Sequence, residues 1–145
     1  MSNKVGHKIS FNLYGNLDTH QEVMQPFLSR LKASGNMIFI LTGALMAPAR
    51  AYLESLDYEY DVIVSLTNYL ALKNFPFEYI NNKCIFPEEV WWGGKAKICE
   101  DQGISMHFES NYKYGKYFER LLTRFIFMTQ TPLTQIRAMN NDYSK

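Results

Sequence analysis

The sequence predicts an α/β domain, a three-layer Rossmann-like parallel sheet of about five strands with helices on both faces. Two observations carry this prediction: short apolar runs recur along the 145 residues, and segments of helical periodicity separate most of them. Because strand–helix–strand crossovers are right-handed, the strands are expected to lie parallel, with their carboxyl ends along one edge. A chain of this length is predicted to form one domain, 1–145, with its core at 8–128.

Each predicted strand is a short, mainly apolar run that ends at turn residues. The run 37–41, Met-Ile-Phe-Ile-Leu, is the strongest because it is fully apolar and Thr42-Gly43 follows it. The predicted strands are 9–13, 37–41, 61–65, 104–108 and 125–128.

The predicted helices follow capping and turn signals. Thr19 and Glu22 have the spacing of a capping box, Asp18 is a competing cap, and Ser34-Gly35-Asn36 closes this first helix. The other predicted helices start near Pro48 and run through Leu56, occupy 95–102 before Gly103, and occupy 114–122.

Two segments do not follow this alternation. Residues 66–94 are rich in Tyr, Phe, Asn and Pro without a period, which predicts an irregular insertion, either a binding loop or a small substructure. Residues 129–145 are predicted as a polar C-terminal tail with one helical turn near Pro132 and a frayed end.

Composition excludes several function classes. The formal net charge of +1 gives no overall field for nucleic acid, and 47% hydrophobic with 20% charged residues is typical of a soluble globular protein. No apolar stretch follows the opening Met-Ser-Asn-Lys, and no run approaches the about 20 residues of a membrane span. The expected location is cytoplasmic.

Cys84 and Cys99 are expected to stay reduced, although one disulfide is possible, and their pattern does not suggest zinc.

Polar residues follow the predicted strands in a recurring order. Residues 9–17 read Ile-Ser-Phe-Asn-Leu-Tyr-Gly-Asn-Leu, Thr42-Gly43 follows Ile40-Leu41, Lys95 opens a predicted helix, and Glu109-Ser110 follows the fourth strand. This order resembles the haloacid dehalogenase (HAD) superfamily of aspartate-nucleophile phosphatases. Their first motif usually reads hydrophobic-hydrophobic-Phe-Asp-x-Asp-Gly-Thr-Leu. The resemblance implies a HAD-like sheet with no large cap.

The acidic positions of that pattern are changed. Asn12 and Tyr14 occupy the places of the nucleophile and the general acid/base, and Ser110 replaces one member of the acidic pair. An amide cannot act as a carboxylate nucleophile, and a phenol is a poor acid/base near neutral pH. Glu109 is the remaining carboxylate and only a weak candidate for Mg²⁺. Asp18 could replace the nucleophile, but its position suits a helix cap better.

The retained polar residues have two interpretations each. Thr42, Lys95 and the N–H groups around Gly15 and Gly43 could form an anion pocket; alternatively, Thr42 caps the next helix and Lys95 is solvated. Trp91 and Trp92, beside Gly93-Gly94, could stack on a base or anchor a partner; alternatively, one ring packs on the sheet and the other covers the loop.

Other polar clusters are expected to be structural. A basic and aromatic segment could line a nucleic-acid groove, although the half-buried face of an amphipathic helix is the better interpretation; its residues are Tyr112, Lys113, Tyr114, Lys116 and Tyr117. His107 is predicted to be a hydrogen-bonded structural residue, and the positions of the histidines suggest no catalytic triad.

The preferred hypothesis is a catalytically inactive, pseudophosphatase-like binding or regulatory protein that needs no cofactor. It would bind a protein partner or a phosphorylated ligand at the changed motif positions, with Thr42, Gly43, Lys95, Trp91 and Trp92 as ligand-binding residues. One alternative is a Mg²⁺-dependent phosphoric monoester hydrolase with a non-standard site. The second alternative is a nucleic-acid-associated regulator. No membrane partner is expected.

Overall fold

A five-stranded parallel sheet forms the centre of the structure, a computed structural model that describes residues 6–143. The strands of the chain are β1 Lys8–Asn12, β2 Met37–Thr42, β3 Val62–Ser65, β4 Glu78–Ile80, β5 Lys83–Ile85, β6 Met106–Glu109 and β7 Arg124–Phe127. The central sheet has the order β3-β2-β1-β6-β7, and β4 and β5 form a separate antiparallel pair. The predicted α/β class and its strands are confirmed, with ends shifted by one or two residues.

Helices cover both faces of this sheet. They are α1 Gln21–Ala33, α2 Met46–Ser55, α3 Leu66–Leu72, α4 Glu88–Gln102 and α5 Gln130–Tyr143. On one face, Phe11 and Phe108 stack with ring centroids 4.9 Å apart, and Phe27 of α1 meets both rings edge-on. On the other face, Leu41 packs in a second core with Ile98 of α4. The result is the predicted three-layer arrangement.

Strand register brings the polar strand ends to one edge. Ser10 pairs with His107 across β1 and β6, and Thr42 pairs with Ser65 across β2 and β3. Since all these strands are parallel, Asn12 and Glu109 end their strands at the same edge of the sheet.

The start of α1 differs from the prediction. The chain leaves β1 through a π-helical turn, Leu13–Leu17, in which Gly15 has a φ of +81°. This turn brings the Asp18 carboxylate back to accept the Gly15 N–H at 2.7 Å, while the Thr19 hydroxyl donates to Asp18. His20 precedes the helix and no side chain caps it. Both predicted caps, Thr19 and Asp18, are therefore wrong.

The 66–94 segment is ordered, so its description as irregular is wrong. It contains α3, the β4–β5 hairpin and the first half of α4. The hairpin turns at Asn81 and Asn82, whose φ angles of 50° and 62° are those of a two-residue type I′ turn. Of the two alternatives for this segment, a small substructure is the one found.

Helix α4 begins at Glu88, after Pro87, and not at the predicted Lys95. It therefore includes Gly93 and Gly94. A Cβ atom at Gly94 would lie 2.3 Å from Leu66 Cδ1, so the glycine permits α4 to approach α3 closely. Lys95 consequently lies in mid-helix and faces the interior.

The C-terminal part of the domain also differs from the prediction. Tyr112–Phe118 forms a 3-10 helix where an α-helix was predicted at 114–122. The predicted polar tail forms α5, which buries Ile136 in the core and donates the Asn140 side-chain N–H to the Val23 carbonyl at 2.9 Å. The predicted core boundary at residue 128 is therefore too early. The last two residues of the predicted tail, and the opening segment 1–5, lie outside the described residues.

Within residues 6–143, the helices are all too short or too polar to cross a membrane.

Candidate functional site

The motif positions predicted from the sequence meet at the carboxyl edge of the sheet. They line a cavity of about 490 Å³, here called the strand-end site; the predicted residues in it are Asn12, Tyr14, Thr42, Gly43, Lys95, Glu109 and Ser110. Trp91 and Trp92 do not line this cavity. They line a neighbouring one that shares Gly43 with it.

Asn12 and Ser110 hold two walls of the strand-end site together. The Ser110 N–H donates to Asn12 Oδ1 at 3.0 Å, and Asn12 Nδ2 donates to Ser110 Oγ at 2.6 Å. Asn12 Nδ2 also donates to the Tyr14 carbonyl at 2.9 Å, which in addition accepts the Ser110 hydroxyl at 3.0 Å. The changed motif positions thus form one hydrogen-bonded cluster.

This cluster requires an amide at position 12. One side of the Asn12 side chain meets an N–H donor and the other meets a carbonyl acceptor, so the side chain must both accept and donate. An ionised aspartate offers only acceptors, and it would place a carboxylate oxygen against the Tyr14 carbonyl. The surroundings of position 12 are therefore built for asparagine.

Three hydrogen bonds within the protein engage both carboxylate oxygens of Glu109. Its Oε1 accepts from Lys95 Nζ at 2.8 Å and lies 2.9 Å from His107 Nε2, and its Oε2 accepts the Asn111 N–H at 3.0 Å. Burial alone would raise the pKa of Glu109, but the His107 hydrogen bond and the Lys95 charge lower that pKa to about 2. The carboxylate is thus ionised at neutral pH, and both of its oxygens already have protein partners.

Lys95 is buried, with 3% of its surface exposed, so the predicted alternative of a solvated lysine is wrong. Burial lowers the pKa of its ammonium group, and the Glu109 carboxylate opposes that effect. The ammonium also lies 4.0 Å from the ring centroid of Tyr114, a favourable cation–π position. Because Glu109 balances its charge, Lys95 does not make the strand-end site strongly positive.

Ser10, His107 and Glu109 follow one another in the order of a catalytic triad. Ser10 Oγ lies 2.6 Å from His107 Nδ1, and Cys99 Sγ lies 3.8 Å from the same hydroxyl. Ser10 and His107 are fully buried, and neither lines the strand-end site. Burial lowers the pKa of His107, although Glu109 opposes it, and raises the pKa of the Cys99 thiol to about 12. His107 is the structural residue that was predicted.

Several donors proposed for an anion pocket are already used. The Gly15 N–H donates to Asp18, and the Ala44 N–H donates to Thr42 Oγ1 at 3.2 Å. Thr42 therefore stabilises the turn after β2; it does not cap α2, whose first residue is Met46. The Gly15 and Ala44 N–H groups are therefore not free to bind an anion at the strand-end site.

Exposed tyrosines form the rim of the strand-end site. Tyr14 stacks on Tyr52 with ring centroids 5.3 Å apart, and the Tyr52 hydroxyl donates to Asp18 Oδ2 at 3.3 Å. Tyr14 is 43% exposed, and Tyr112, which lines the same cavity, is 67% exposed. Tyr52 was not predicted as a site residue, because its partners are distant in the sequence and no local pattern marks it.

The adjacent tryptophans pack differently from each other. Trp91 stacks on Phe86 with ring centroids 6.2 Å apart, whereas Trp92 meets Tyr114 edge-on at 4.9 Å. The Lys113 ammonium lies 5.2 Å from the Trp92 ring. Tyr114 is buried while Tyr112 and Lys113 are exposed, which matches the predicted amphipathic character of this segment, here on a 3-10 helix.

The residues present do not fit a magnesium ion. Mg²⁺ requires hard anionic oxygens, whereas Asn12 and Ser110 are neutral and bonded to each other, and Glu109 is bonded to Lys95 and His107. Among residues 6–143, no His, Cys, Asp and Glu side chains form a group of three or more that could hold a metal. Cys84 and Cys99 are both free thiols.

No protein-family model matches the sequence, and no curated protein matches it.

Proposed function

We propose that this chain is a catalytically inactive HAD-like protein that acts by binding a protein partner at the carboxyl edge of its sheet. The observation that carries the proposal is the reciprocal hydrogen bonding of Asn12 and Ser110. In the family that the sequence resembles, these positions would carry the nucleophile and a metal ligand. Here they are neutral and serve to hold the site together.

The surrounding charges support binding without hydrolysis. A phosphotransfer site of this class needs a carboxylate free to attack phosphorus or to hold Mg²⁺. The strand-end carboxylate, Glu109, is buried and bonded to Lys95, His107 and the Asn111 N–H. The hydroxyl of Ser10 has a histidine partner but no exposure to substrate. Neither the Glu109 carboxylate nor the Ser10 hydroxyl is therefore available as a nucleophile.

The surface of the site favours a protein over a phosphorylated ligand. Lys95 is neutralised by Glu109, and Asp18 adds a negative charge beside the Gly15 N–H. In contrast, Tyr14 and Tyr112 both line the cavity and are exposed to solvent. Tyrosine is enriched in protein interfaces because it offers a large apolar area together with one hydrogen-bonding group.

Two measurements test this proposal. Wild-type protein with p-nitrophenyl phosphate and Mg²⁺ is expected to show no turnover above the buffer; turnover that co-purifies with the protein and is lost in Asn12→Ala would overturn it. For binding, the immobilised chain is compared with Tyr112→Ser and with Leu122→Ser. Leu122 is fully exposed just before β7, at the opposite edge of the sheet. A host protein retained by wild type and Leu122→Ser but lost with Tyr112→Ser supports the proposal; equal retention by all contradicts it.

A further inference from the structure

A second cavity, here called the hairpin cavity, lies beside the strand-end site. Its volume is about 850 Å³, and it opens between the loop after β2, the β4–β5 hairpin and the first turn of α4. Small-molecule sites in proteins are usually concave, mostly apolar and of about 300–1,000 Å³. The hairpin cavity has the volume and the concave shape of such a site.

Flat aromatic surfaces form its walls. Trp91 stacks on Phe86 with only 17° between the ring planes, and Trp92 lines the cavity next to them. Gly43 permits this arrangement, because a Cβ atom there would lie 2.9 Å from Trp91 Cζ2. The hairpin also lines the cavity: Tyr79 and Cys84, which are directly paired across its strands, both contribute to the lining.

The polar groups around the cavity do not select a charged ligand. Thr67 donates its hydroxyl to the Gly43 carbonyl at 2.8 Å, so that donor is already used. The charged lining residues, Lys83 and Glu88, are exposed and opposite in sign. A ligand with net charge would therefore gain little here, whereas a flat apolar ligand would stack on the tryptophan wall and lose contact with water.

We infer that the hairpin cavity binds an uncharged, planar, largely apolar small molecule that stacks on the Trp91–Phe86 wall. The inference goes beyond the proposed function, because this cavity shares only Gly43 with the strand-end site. It also gives the hairpin a role: the two strands close one side of the aromatic pocket.

The test uses N-phenyl-1-naphthylamine, an uncharged aromatic fluorophore, with the full chain. The sequence contains two tryptophans, and both line the cavity, so bound probe is expected to quench tryptophan emission saturably at one probe per chain. Bound probe should also protect Cys84 from alkylation by N-ethylmaleimide. Cys99 is fully buried and serves as an internal control, since it should stay unmodified with or without probe.

A cavity-filling variant locates the probe. Cys84→Phe is expected to weaken probe binding about tenfold or more by occupying the space of the ligand. Leu72→Phe adds a ring at a position that is 83% exposed and outside the cavity, and it should bind the probe as wild type does. Both variants are first compared with wild type by thermal unfolding.

If Cys84→Phe does not fold, wild-type protein alkylated at Cys84 replaces it, and the same loss of binding is expected. Non-saturable quenching, unprotected Cys84, or equal probe affinity after Cys84 is filled or alkylated would each overturn the inference. These outcomes are separate from failure of the proposed function, which is read from partner capture by wild type and Tyr112→Ser without any probe.

Discussion

The Lys95 ammonium lies 2.8 Å from the Glu109 carboxylate, and their side chains are only 4% and 0% exposed. The chain contains an ion pair of nearly the same length at the surface: Lys32 Nζ lies 2.7 Å from Asp61 Oδ1, with 30% and 28% exposure. The two distances are equal within 0.1 Å, but water surrounds the surface pair and is largely excluded from the buried one. A surface pair contributes little net stability, whereas a buried charge that loses its partner is costly.

Lys95→Met is therefore expected to lower the free energy of unfolding by about 3–5 kcal/mol, because it leaves the Glu109 carboxylate buried without its cation. Lys32→Met is the matched control and should cost less than about 1 kcal/mol. Urea unfolding at pH 7 measures both. Adding Glu109→Gln to Lys95→Met should recover part of the lost unfolding free energy. If Lys95→Met and Lys32→Met lost equal amounts, a specific role for burial would be contradicted.

Asn12→Asp is expected to destabilise the fold by about 1–3 kcal/mol at pH 7, because the Tyr14 carbonyl then loses its amide donor and faces an ionised carboxylate. A protonated aspartic acid can again donate a hydrogen bond to the Tyr14 carbonyl. The stability difference from wild type should therefore shrink as the pH is lowered towards 3. Unfolding measured at several pH values checks this, and a difference that is constant or grows on acidification would argue against the donor role of the Asn12 amide.

Stability should depend on pH through His107. Burial lowers the pKa of this imidazole below its ordinary value of 6.5, so the unfolded chain takes up its proton first as the pH falls. Stability is then fully present above pH 6.5 and decreases on acidification. The ordinary pKa of the Glu109 carboxyl is 4.5, so its protonation affects stability only at lower pH. Between pH 6.5 and 4.5, the loss of stability on acidification therefore comes from His107 first.

The slope from one such group reaches at most about 1.4 kcal/mol per pH unit. His107→Gln keeps an N–H donor towards Glu109 but cannot titrate, so its stability curve should be flatter over this window, whatever its absolute stability. Denaturant unfolding at half-unit steps from pH 7.5 to 4.5 provides the comparison. Parallel curves for wild type and variant would mean that His107 does not carry the dependence.

The central sheet could be predicted from the sequence because each strand is a short apolar run bounded by turn residues. A strand of a parallel sheet is buried on both faces, so its sequence is a nearly continuous apolar run. The strand-end cluster followed from the same topology, since parallel strands align their carboxyl ends. The contacts of Lys95 could not be predicted, because whether a mid-helix lysine meets solvent or Glu109 depends on how α4 packs on the sheet.

The β4–β5 hairpin and the start of α4 were not predicted from the sequence, because their local sequence signals are weak. Asn81-Asn82 is a recognisable type I′ turn signal. However, the flanking strands are only three residues long and mostly exposed, so the alternation of apolar and polar residues along them is too short to detect. Gly93-Gly94 concealed the first half of α4, because glycine has low helix propensity. Tertiary packing overrides that propensity, as the Leu66 side chain occupies the space beside Gly94.

This packing predicts opposite effects for adjacent glycines. Gly94→Ala should destabilise the fold by about 1–3 kcal/mol, because its Cβ would lie 2.3 Å from Leu66 Cδ1 in a filled core. Gly93→Ala meets the half-buried Tyr117 ring at 3.2 Å, which can move, and gains up to about 1 kcal/mol of helix propensity. Thermal unfolding of both variants tests this prediction: Gly93→Ala is expected to unfold at a higher temperature than Gly94→Ala. The reverse order would indicate that α3 and α4 do not pack as described.

The final prediction concerns α5, which the polar composition of residues 129–145 concealed. Ile136 is 3% exposed and belongs to the core beside α1, whereas Met139, three residues later, is 40% exposed. Ile136→Ala should cost about 2–4 kcal/mol of unfolding free energy, since it leaves a cavity in that core. Met139→Ala removes a similar side-chain volume from the surface and should cost less than about 1 kcal/mol. Urea unfolding of both variants distinguishes a packed helix from a polar tail: if both changes are equally mild, α5 does not contribute to the core, and the original prediction of a frayed end would stand.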